Sequence, residues 1–423
     1  CAACATVVLL FGNGIAVTLL GDGRCAKAFP FVLLCLALTG VENIFKSLFI
    51  GLEQMQYTAT SEVGEQLIRI FSVGILLYHY QGEDYGTIAM LIFAGMVVSA
   101  VFSALFLTRL FRRSMAHTSL TAHLDRATAQ QFFFIALPLS ASALLSNIIS
   151  SAGSVLLPQR LMVAGLTYEQ ALSALGVISG MAMPLLLLPV ALVSSVCTAL
   201  LPAITAAQAI GSSERVRGLI ERAISAVGLI GIPATAVLVP LAPRLSEVFF
   251  HQPLTAEYVA LLGVVAIVSY YQMTSGSLLN ALGLQHINVV TAVSAELCQL
   301  FLLYRWCASP KLGIYGYLLA MFLTDTIAFT VNLCVLRIRS GFACNPLRRF
   351  GVPLLCGAAL FLWTRIFFHV FQQICRTEAA ALALTIFGAG VLYVLVLRLT
   401  GIRLLRYLAH RIERPQLPHP CMW

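Results

Sequence analysis

Charge is what this chain has least of. Only 10% of its 423 residues are Asp, Glu, Lys or Arg, while hydrophobic residues reach 60%. A water-soluble domain ordinarily carries about a quarter charged residues to cover its surface. Without that cover, a chain of this size must have lipid as its solvent. Strand-like alternation of apolar and polar residues is also lacking, which argues against a transmembrane barrel. No Walker-type phosphate loop, HExxH or GxSxG motif occurs, so neither an enzyme nor a nucleotide-driven pump is indicated. Of the twelve cysteines, Cys35, Cys197, Cys298, Cys334 and Cys356 sit in apolar runs, where a thiol packs as a small hydrophobe. Cys1 and Cys4 have CxxC spacing, but no second pair or nearby His accompanies them, so no metal site is expected.

What the chain does have is hydrophobic runs of helix-spanning length. A transmembrane helix needs roughly 20 apolar residues. Twelve segments meet that need, at about 5–20, 28–50, 62–80, 86–109, 131–157, 172–203, 223–243, 258–282, 288–306, 312–336, 350–370 and 379–399. Backbone polar groups in lipid must be satisfied within each segment, so these are expected to be helices. The mean hydropathy of +0.92 agrees.

The formal net charge is +9, and its placement gives a topology. One alternating set of connections and the tail holds Arg109, Arg112, Arg113, Arg126, Arg215, Arg217, Arg222, Arg337, Arg339, Arg348, Arg349, Arg398, Arg403, Arg406, Arg411 and Arg414. The other set holds Arg24, Lys27, Arg160, Arg244, Arg305, Lys311 and Arg376. Sixteen against seven puts the first set and the C-terminus in the cytosol by the positive-inside rule. The basic balance therefore calls for anionic membrane lipid and not for a nucleic acid.

An internal repeat crosses the long polar connection near 111–130. Residues 47–67 (SLFIGLEQMQYTATSEVGEQL) and 277–297 (SLLNALGLQHINVVTAVSAEL) align at an offset of 230. Ser47 faces Ser277, Leu52 faces Leu282, Ser61 faces Thr291 and Val63 faces Val293. Each copy reads as a helix end, a short turn and a new helix start. Repeated halves with the substrate path between them are a common transporter plan. Prolines at 138, 184, 189, 233, 240 and 243 lie inside apolar runs. Each removes a backbone hydrogen bond, giving either a static kink or a bend used when access changes.

The stretch beginning at Leu156 carries a resemblance. Pro158, Gln159, Arg160 and Leu161 are followed by Ala164, Gly165, Leu166 and Thr167. Gly176, Gly180, Pro184 and Pro189 come next, and Ala199, Leu200, Leu201, Pro202, Ala203 and Ile204 close the stretch. In 46–70, Lys46 stands where an arginine is usual, and Ser61, Glu65, Gln66 and Arg69 match as they stand. Together these resemble the multidrug/oligosaccharidyl-lipid/polysaccharide exporter superfamily, and within it the stage V sporulation protein B and polysaccharide-transporter branch. The resemblance implies an all-α polytopic membrane protein of two pseudo-symmetric helical lobes around a central cavity. It implies fourteen helices in the family and about twelve in this chain, with the first two missing. The corresponding divisions are 1–127 for an incomplete N-terminal lobe, 128–340 for a C-terminal lobe, 341–400 for two extra helices and 401–423 for a basic tail. Related lipid II flippases carry cavity cations on the helices expected to be missing.

A charge in lipid costs about 2.5–3.5 kcal/mol on insertion scales, so intramembrane ionisable residues are functional suspects. Glu42 and Lys46 share a helix face, as do Glu62, Glu65 and Arg69, and such spacing permits pairing. The cluster is either a self-neutralised helix lock or a place where Lys46 and Arg69 hold a lipid-linked pyrophosphate, with Arg supplying the bidentate fork. Arg160 ends the Pro158–Arg160 turn and is a third candidate cation. Gln272 and Asn280 are candidates for lining a saccharide cavity, against a plainer role as helix-packing residues. Glu296 and Asp325 sit well inside their spans. Each is either a protonated carboxyl bonded to a neighbour or an ion-coupling group.

The expected function is a flippase that moves a lipid-linked oligosaccharide or cell-wall precursor across the cytoplasmic membrane by alternating access. No cofactor is expected, and coupling would draw on Na+, H+ or the membrane potential. Expected partners are membrane lipids, the lipid-linked saccharide and wall-synthesis enzymes. Two other readings stay open: a cation-coupled exporter of organic cations, and a non-transporting scaffold for wall synthesis.

Overall fold

The computed structural model describes residues 28–51, 54–80, 82, 84–115, 126–251, 256–341, 351–375 and 377–399. The expected span at 5–20, the Cys1/Cys4 pair and the basic tail at 401–423 lie outside the described residues. Those described form thirteen α-helices and, among them, no strand. Ten helical stretches are long and apolar enough to cross a membrane. The chain is thus an all-α, multi-pass membrane protein. It divides into two compact units, Cys1–Gln130 and Gln131–Trp423.

The first unit contains α1 (Phe29–Gly51), α2 (Met55–His79) and α3 (Tyr85–Met115). Helix α3 packs along both of the others, which touch each other less. At the α2–α3 crossing a β-carbon on Gly95 would stand 3.0 Å from the backbone nitrogen of Val73, so only glycine lets these helices approach so closely. The Ser72 hydroxyl donates to the Gly95 carbonyl at 3.0 Å across the same contact. Apolar side chains such as Ile70 and Phe71 face outward, each 66% exposed, as lipid-facing positions should.

The second unit begins within α4 (Arg126–Val163), at Gln131. Gly165 turns the chain at φ +107°, and Thr167 then caps α5 (Tyr168–Gly176). The cap is reciprocal: Gln170 N donates to Thr167 Oγ1 at 3.3 Å, and Thr167 N donates to Gln170 Oε1 at 3.1 Å. The Ala164–Thr167 motif of the sequence is therefore a helix stop followed by a helix start.

The expected single span over 172–203 is instead broken. A π-helical turn (Val177–Ala182) and one short helix, α6 (Met183–Leu186), precede α7 (Leu188–Ala209). Pro184 and Pro189 supply no backbone donor, so the regular ladder fails around Leu187, which adopts φ −90°, ψ 0°. Val190 N then donates to Leu187 O at 2.9 Å, a tightened turn. The Leu186 carbonyl is taken instead by the Tyr270 hydroxyl at 2.5 Å.

Helix α8 (Ser213–Phe250) is the axis of this unit. At about 1.5 Å per residue its 38 residues reach roughly 57 Å, beyond a hydrocarbon core of about 30 Å, so it tilts or runs past the core. It keeps Pro233, Pro240 and Pro243 inside the helix. Around it pack α7, α9 (Ala256–Ala281) and α12 (Val352–Ile374), with α13 (Glu378–Leu399) touching more lightly. The Tyr393 hydroxyl of α13 donates to the Leu229 carbonyl of α8. Arg244 of α8 bonds Glu247 at 2.7 Å and stands 3.9 Å from Glu378. The two C-terminal helices are thus fastened to α8.

Helices α10 (Gln285–Trp306) and α11 (Ile314–Ser340) complete the unit. Helices α9, α10 and α11 repeat the plan of α1, α2 and α3, with the third helix against both others. The connecting turn is built twice in the same way. Gln54 has φ −98°, ψ 50° and Leu284 has φ −97°, ψ 35°. Gln54 N donates to Phe49 O at 2.8 Å, and Leu284 N to Leu279 O at 2.9 Å. Tyr57 N donates to Gln54 O and Ile287 N to Leu284 O, at 3.2 and 3.1 Å. Every one of these pairs is related by the offset of 230 read from the sequence.

Candidate functional site

In the first unit the suspected charges converge. Lys46 Nζ lies 2.5 Å from Glu42, 3.5 Å from Glu65 and 3.6 Å from Glu62. Glu65 also pairs with Arg69 one helical turn on. Helix α3 adds two buried serines, Ser99 and Ser103. Ser103 donates to Glu42 at 2.7 Å and shares a 2.7 Å hydrogen bond with Ser61 of α2. Ser99 accepts from Arg69 Nε at 3.4 Å. Glu42 is 2% exposed and Glu65 8%, whereas Glu62 is open to the surroundings. Both cations are therefore engaged by carboxylates, and each carboxylate in the interior has more than one partner. A buried pair is tolerated on those terms, because hydrogen bonds satisfy the remaining lone pairs. Ser99 and Ser103 went unread in the sequence, where their spacing of four on an apolar helix was the available signal. Ser61 was read there as part of the internal repeat and of the resemblance.

Among the described residues, the second unit carries no such ion cluster around the repeated turn. Gln272 stands where Glu42 does, Gly276 where Lys46 does and Ala295 where Glu65 does. Neutral bonds replace charged ones. Asn288 donates to Asn280 at 3.1 Å, and Asn332 of α11 to Ser275 of α9 at 3.1 Å. A β-carbon on Gly276 would stand 2.7 Å from Asn288 Oδ1, so the Asn occupies room that a larger residue would fill. Asp325 accepts a hydrogen bond from Ser269 of α9, half-buried. Gln272 is half-buried on α9.

Glu296 lies elsewhere. One residue beyond the equivalent of Glu65, it is rotated about 100° around its helix and faces α4, α5 and α11. There it lines a cavity of 290 Å³ with Ser150, Ser154, Ser179, Gln299 and Tyr317. Its Oε2 is buried and has no hydrogen-bond partner. The residues lining the cavity include no Lys or Arg. Its hydroxyl, amide and carboxylate oxygens are hard donors that suit an alkali cation or a proton. A second cavity of 210 Å³ lies between α7 and α9, lined by Cys197, Ser194, Tyr270, Thr274 and apolar neighbours. Neither Gln272 nor Asn280 lines either cavity. Arg160, at the end of α4, lies with its guanidinium carbon 3.3 Å from the ring centroid of Tyr304 on α10. Among the described residues no group of three or more His, Cys, Asp or Glu is placed to hold a metal ion.

Comparison with known proteins agrees with this architecture. The family described as polysaccharide biosynthesis protein matches residues 3–208. Stage V sporulation protein B of Bacillus subtilis (strain 168) is 24% identical over 320 residues, covering 74% of this chain and 61% of that protein. Sporulation protein YkvU of the same organism is 21% identical over 282 residues, 66% of this chain and 63% of that protein. The chain thus spans a little over three-fifths of the length of these relatives. An outward-facing multidrug resistance MATE family transporter of the MOP superfamily aligns with a TM-score of 0.63 at 16% identity, over 80% of this chain and 75% of that one. A MOP superfamily transporter from Pyrococcus furiosus, described as having a binding pocket of reversed polarity, aligns with a TM-score of 0.55 at 16% identity, over 75% and 77%. With its all-helical membrane fold, the chain is thus similar in sequence to the polysaccharide biosynthesis family over residues 3–208 and to stage V sporulation protein B, and similar in fold to transporters of the MOP superfamily.

Proposed function

We propose that the protein is a membrane transporter that carries a lipid-linked saccharide, of the kind used in wall or polysaccharide synthesis, between the leaflets of the cytoplasmic membrane. The match of residues 3–208 to polysaccharide biosynthesis proteins carries this reading. The path would alternate between two sides, the acyl chain staying in lipid while polar groups accept the head. Lys46 and Arg69 would engage a pyrophosphate by exchanging it for carboxylate partners they already hold. Gln272, Asn280 and Arg160 are further candidates for contacts with the head. Glu296 supports coupling to a monovalent cation or proton, because one carboxylate among neutral oxygens matches a single positive charge. Asp325, already bonded to Ser269, is the second candidate for that role. The Arg-rich connections would face the cytosol, and wall-synthesis enzymes would be the neighbours that supply and use the substrate.

One observation favours a second reading, the export of organic cations: the cavity at Glu296 is acidic and carries no basic residue. Its 290 Å³ is at the small end of ligand pockets, about 300–1,000 Å³, which fits a hydrated inorganic ion better. The test is reconstitution into vesicles with fluorescent lipid-linked saccharides and, in parallel, a fluorescent organic cation. Leaflet exchange that needs the protein and falls in Glu296→Gln supports the flippase. Dye export without lipid exchange supports the second reading. Activity in neither assay would leave a non-transporting scaffold.

A further inference from the structure

The Glu296 cavity is lined by one stripe of α4 and one of α10. On α4 the stripe runs Ser150, Ser154, Leu157, and on α10 it runs Glu296, Leu300, Leu303. Arg160, three residues beyond Leu157, and Tyr304, next to Leu303 and one turn beyond Leu300, are stacked together. The Arg160 Nε is buried without a hydrogen-bond partner, and no carboxylate is paired with this guanidinium among the ion pairs of the described residues. The ring face of Tyr304 is what holds the charge in place. A cation is thus fixed at one end of a cavity whose only charge is a carboxylate.

We propose that Arg160, pinned by Tyr304, is a positioning residue that weakens cation binding at Glu296, so that the site fills and empties in each cycle. This rests on the reading of Glu296 as a coupling group. Eight residues of helix separate Glu296 from Tyr304, which is about 12 Å. Two unit charges that far apart, at an effective dielectric near 20 and partly screened by salt, alter an affinity by about three- to tenfold. Like charges repel, so the guanidinium lowers the affinity for a cation at the carboxylate. Arg suits this place because its planar, weakly hydrated group stacks on an aromatic face, and it stays charged throughout the physiological range.

The experiment measures thermal stabilisation of the purified full chain by Na+ at constant ionic strength, with choline as the replacement. A ligand that binds only the folded state raises the transition temperature in a saturable way. Arg160→Gln is expected to lower the half-saturating Na+ concentration three- to tenfold. Arg160→Lys keeps the charge and Tyr304→Phe keeps the ring, so both are expected within twofold of wild type. If Arg160→Gln gives no cooperative transition, Arg160→Met retains the packing of the stem and serves as the same test. Glu296→Gln is expected to abolish the Na+ dependence. A wild type without Na+ dependence, or one that Glu296→Gln leaves intact, would overturn the assignment of Glu296 and this inference with it. Loss of dependence in Glu296→Gln, with the Arg160→Gln midpoint unmoved, would overturn only the role given to Arg160.

Discussion

Substituting Lys46 by methionine should be worse than substituting Lys46 and Glu42 together. Lys46 lies between the carboxylates of Glu42, Glu65 and Glu62, with the shortest contact, 2.5 Å, to Glu42. The carboxylate of Glu42 is 2% exposed and, if the ammonium goes, is left with the Ser103 hydroxyl and the neighbouring Glu65 carboxyl. Removing one partner of a buried pair costs about 3–5 kcal/mol, because the other charge stays desolvated. An unfolding entropy of about 2.1 cal/mol/K per residue makes the shift about 1 °C per kcal/mol in a chain of 423 residues, so Lys46→Met should lose roughly 3–6 °C. Glu42→Gln combined with Lys46→Met removes both charges. The glutamine oxygen still accepts from Ser103, and the methionine fills the volume of the lysine stem. Neutral replacement of a buried pair is often without cost, so the double variant should recover most of the loss. The assay is thermal unfolding in detergent followed by size-exclusion fluorescence. A double variant that melts as low as the single one would refute the reasoning, since the loss would then come from packing and not from an orphaned charge. The same double variant separates structure from transport. If it is stable and still exchanges lipid-linked saccharide, Lys46 is a helix lock and not a phosphate ligand.

Three further outcomes follow from single contacts. Tyr270→Phe leaves the Leu186 carbonyl unpaired at the helix break, which should cost about 1–3 kcal/mol in thermal or denaturant unfolding; an unchanged transition would show that the break needs no latch. A β-carbon on Gly231 would stand 2.5 Å from Cδ2 of Tyr270, so Gly231→Ala should cost about 1–3 kcal/mol by overpacking. Because both changes act on one ring, their combination should fall short of the sum, and strict additivity would argue against the shared contact. Asp325→Asn keeps an acceptor for Ser269 and should be close to neutral in stability, whereas Asp325→Leu should cost about 1–3 kcal/mol by leaving the hydroxyl unpaired; equal melting of the two variants would rule out the Ser269 bond as the reason Asp325 is tolerated in its helix.

Composition was enough to settle the solvent and the class of secondary structure. With 10% charged residues no aqueous surface is possible, and lipid then leaves helices as the way to satisfy the backbone. The repeated turn was also legible, because a helix stop and restart are local events of a few residues. The pairs Glu42–Lys46 and Glu65–Arg69 were legible for the same reason, lying one turn apart on one face. Tertiary structure alone decided the rest. Nothing local distinguishes Ser103 from other serines in apolar helices, yet it joins Glu42 from 61 residues away. The break at Leu187 was half-visible in Pro184 and Pro189, but the hydroxyl that accommodates it comes from Tyr270, 84 residues on. Glu65 and Glu296 look alike in the repeat. A shift of one position turns the first into an ion cluster and the second toward a cavity, because a helix rotates by about 100° per residue and the neighbours on the two sides differ. Residue spacing along one helix fixes what shares a face, and only the packing of helices distant in sequence fixes what that face meets.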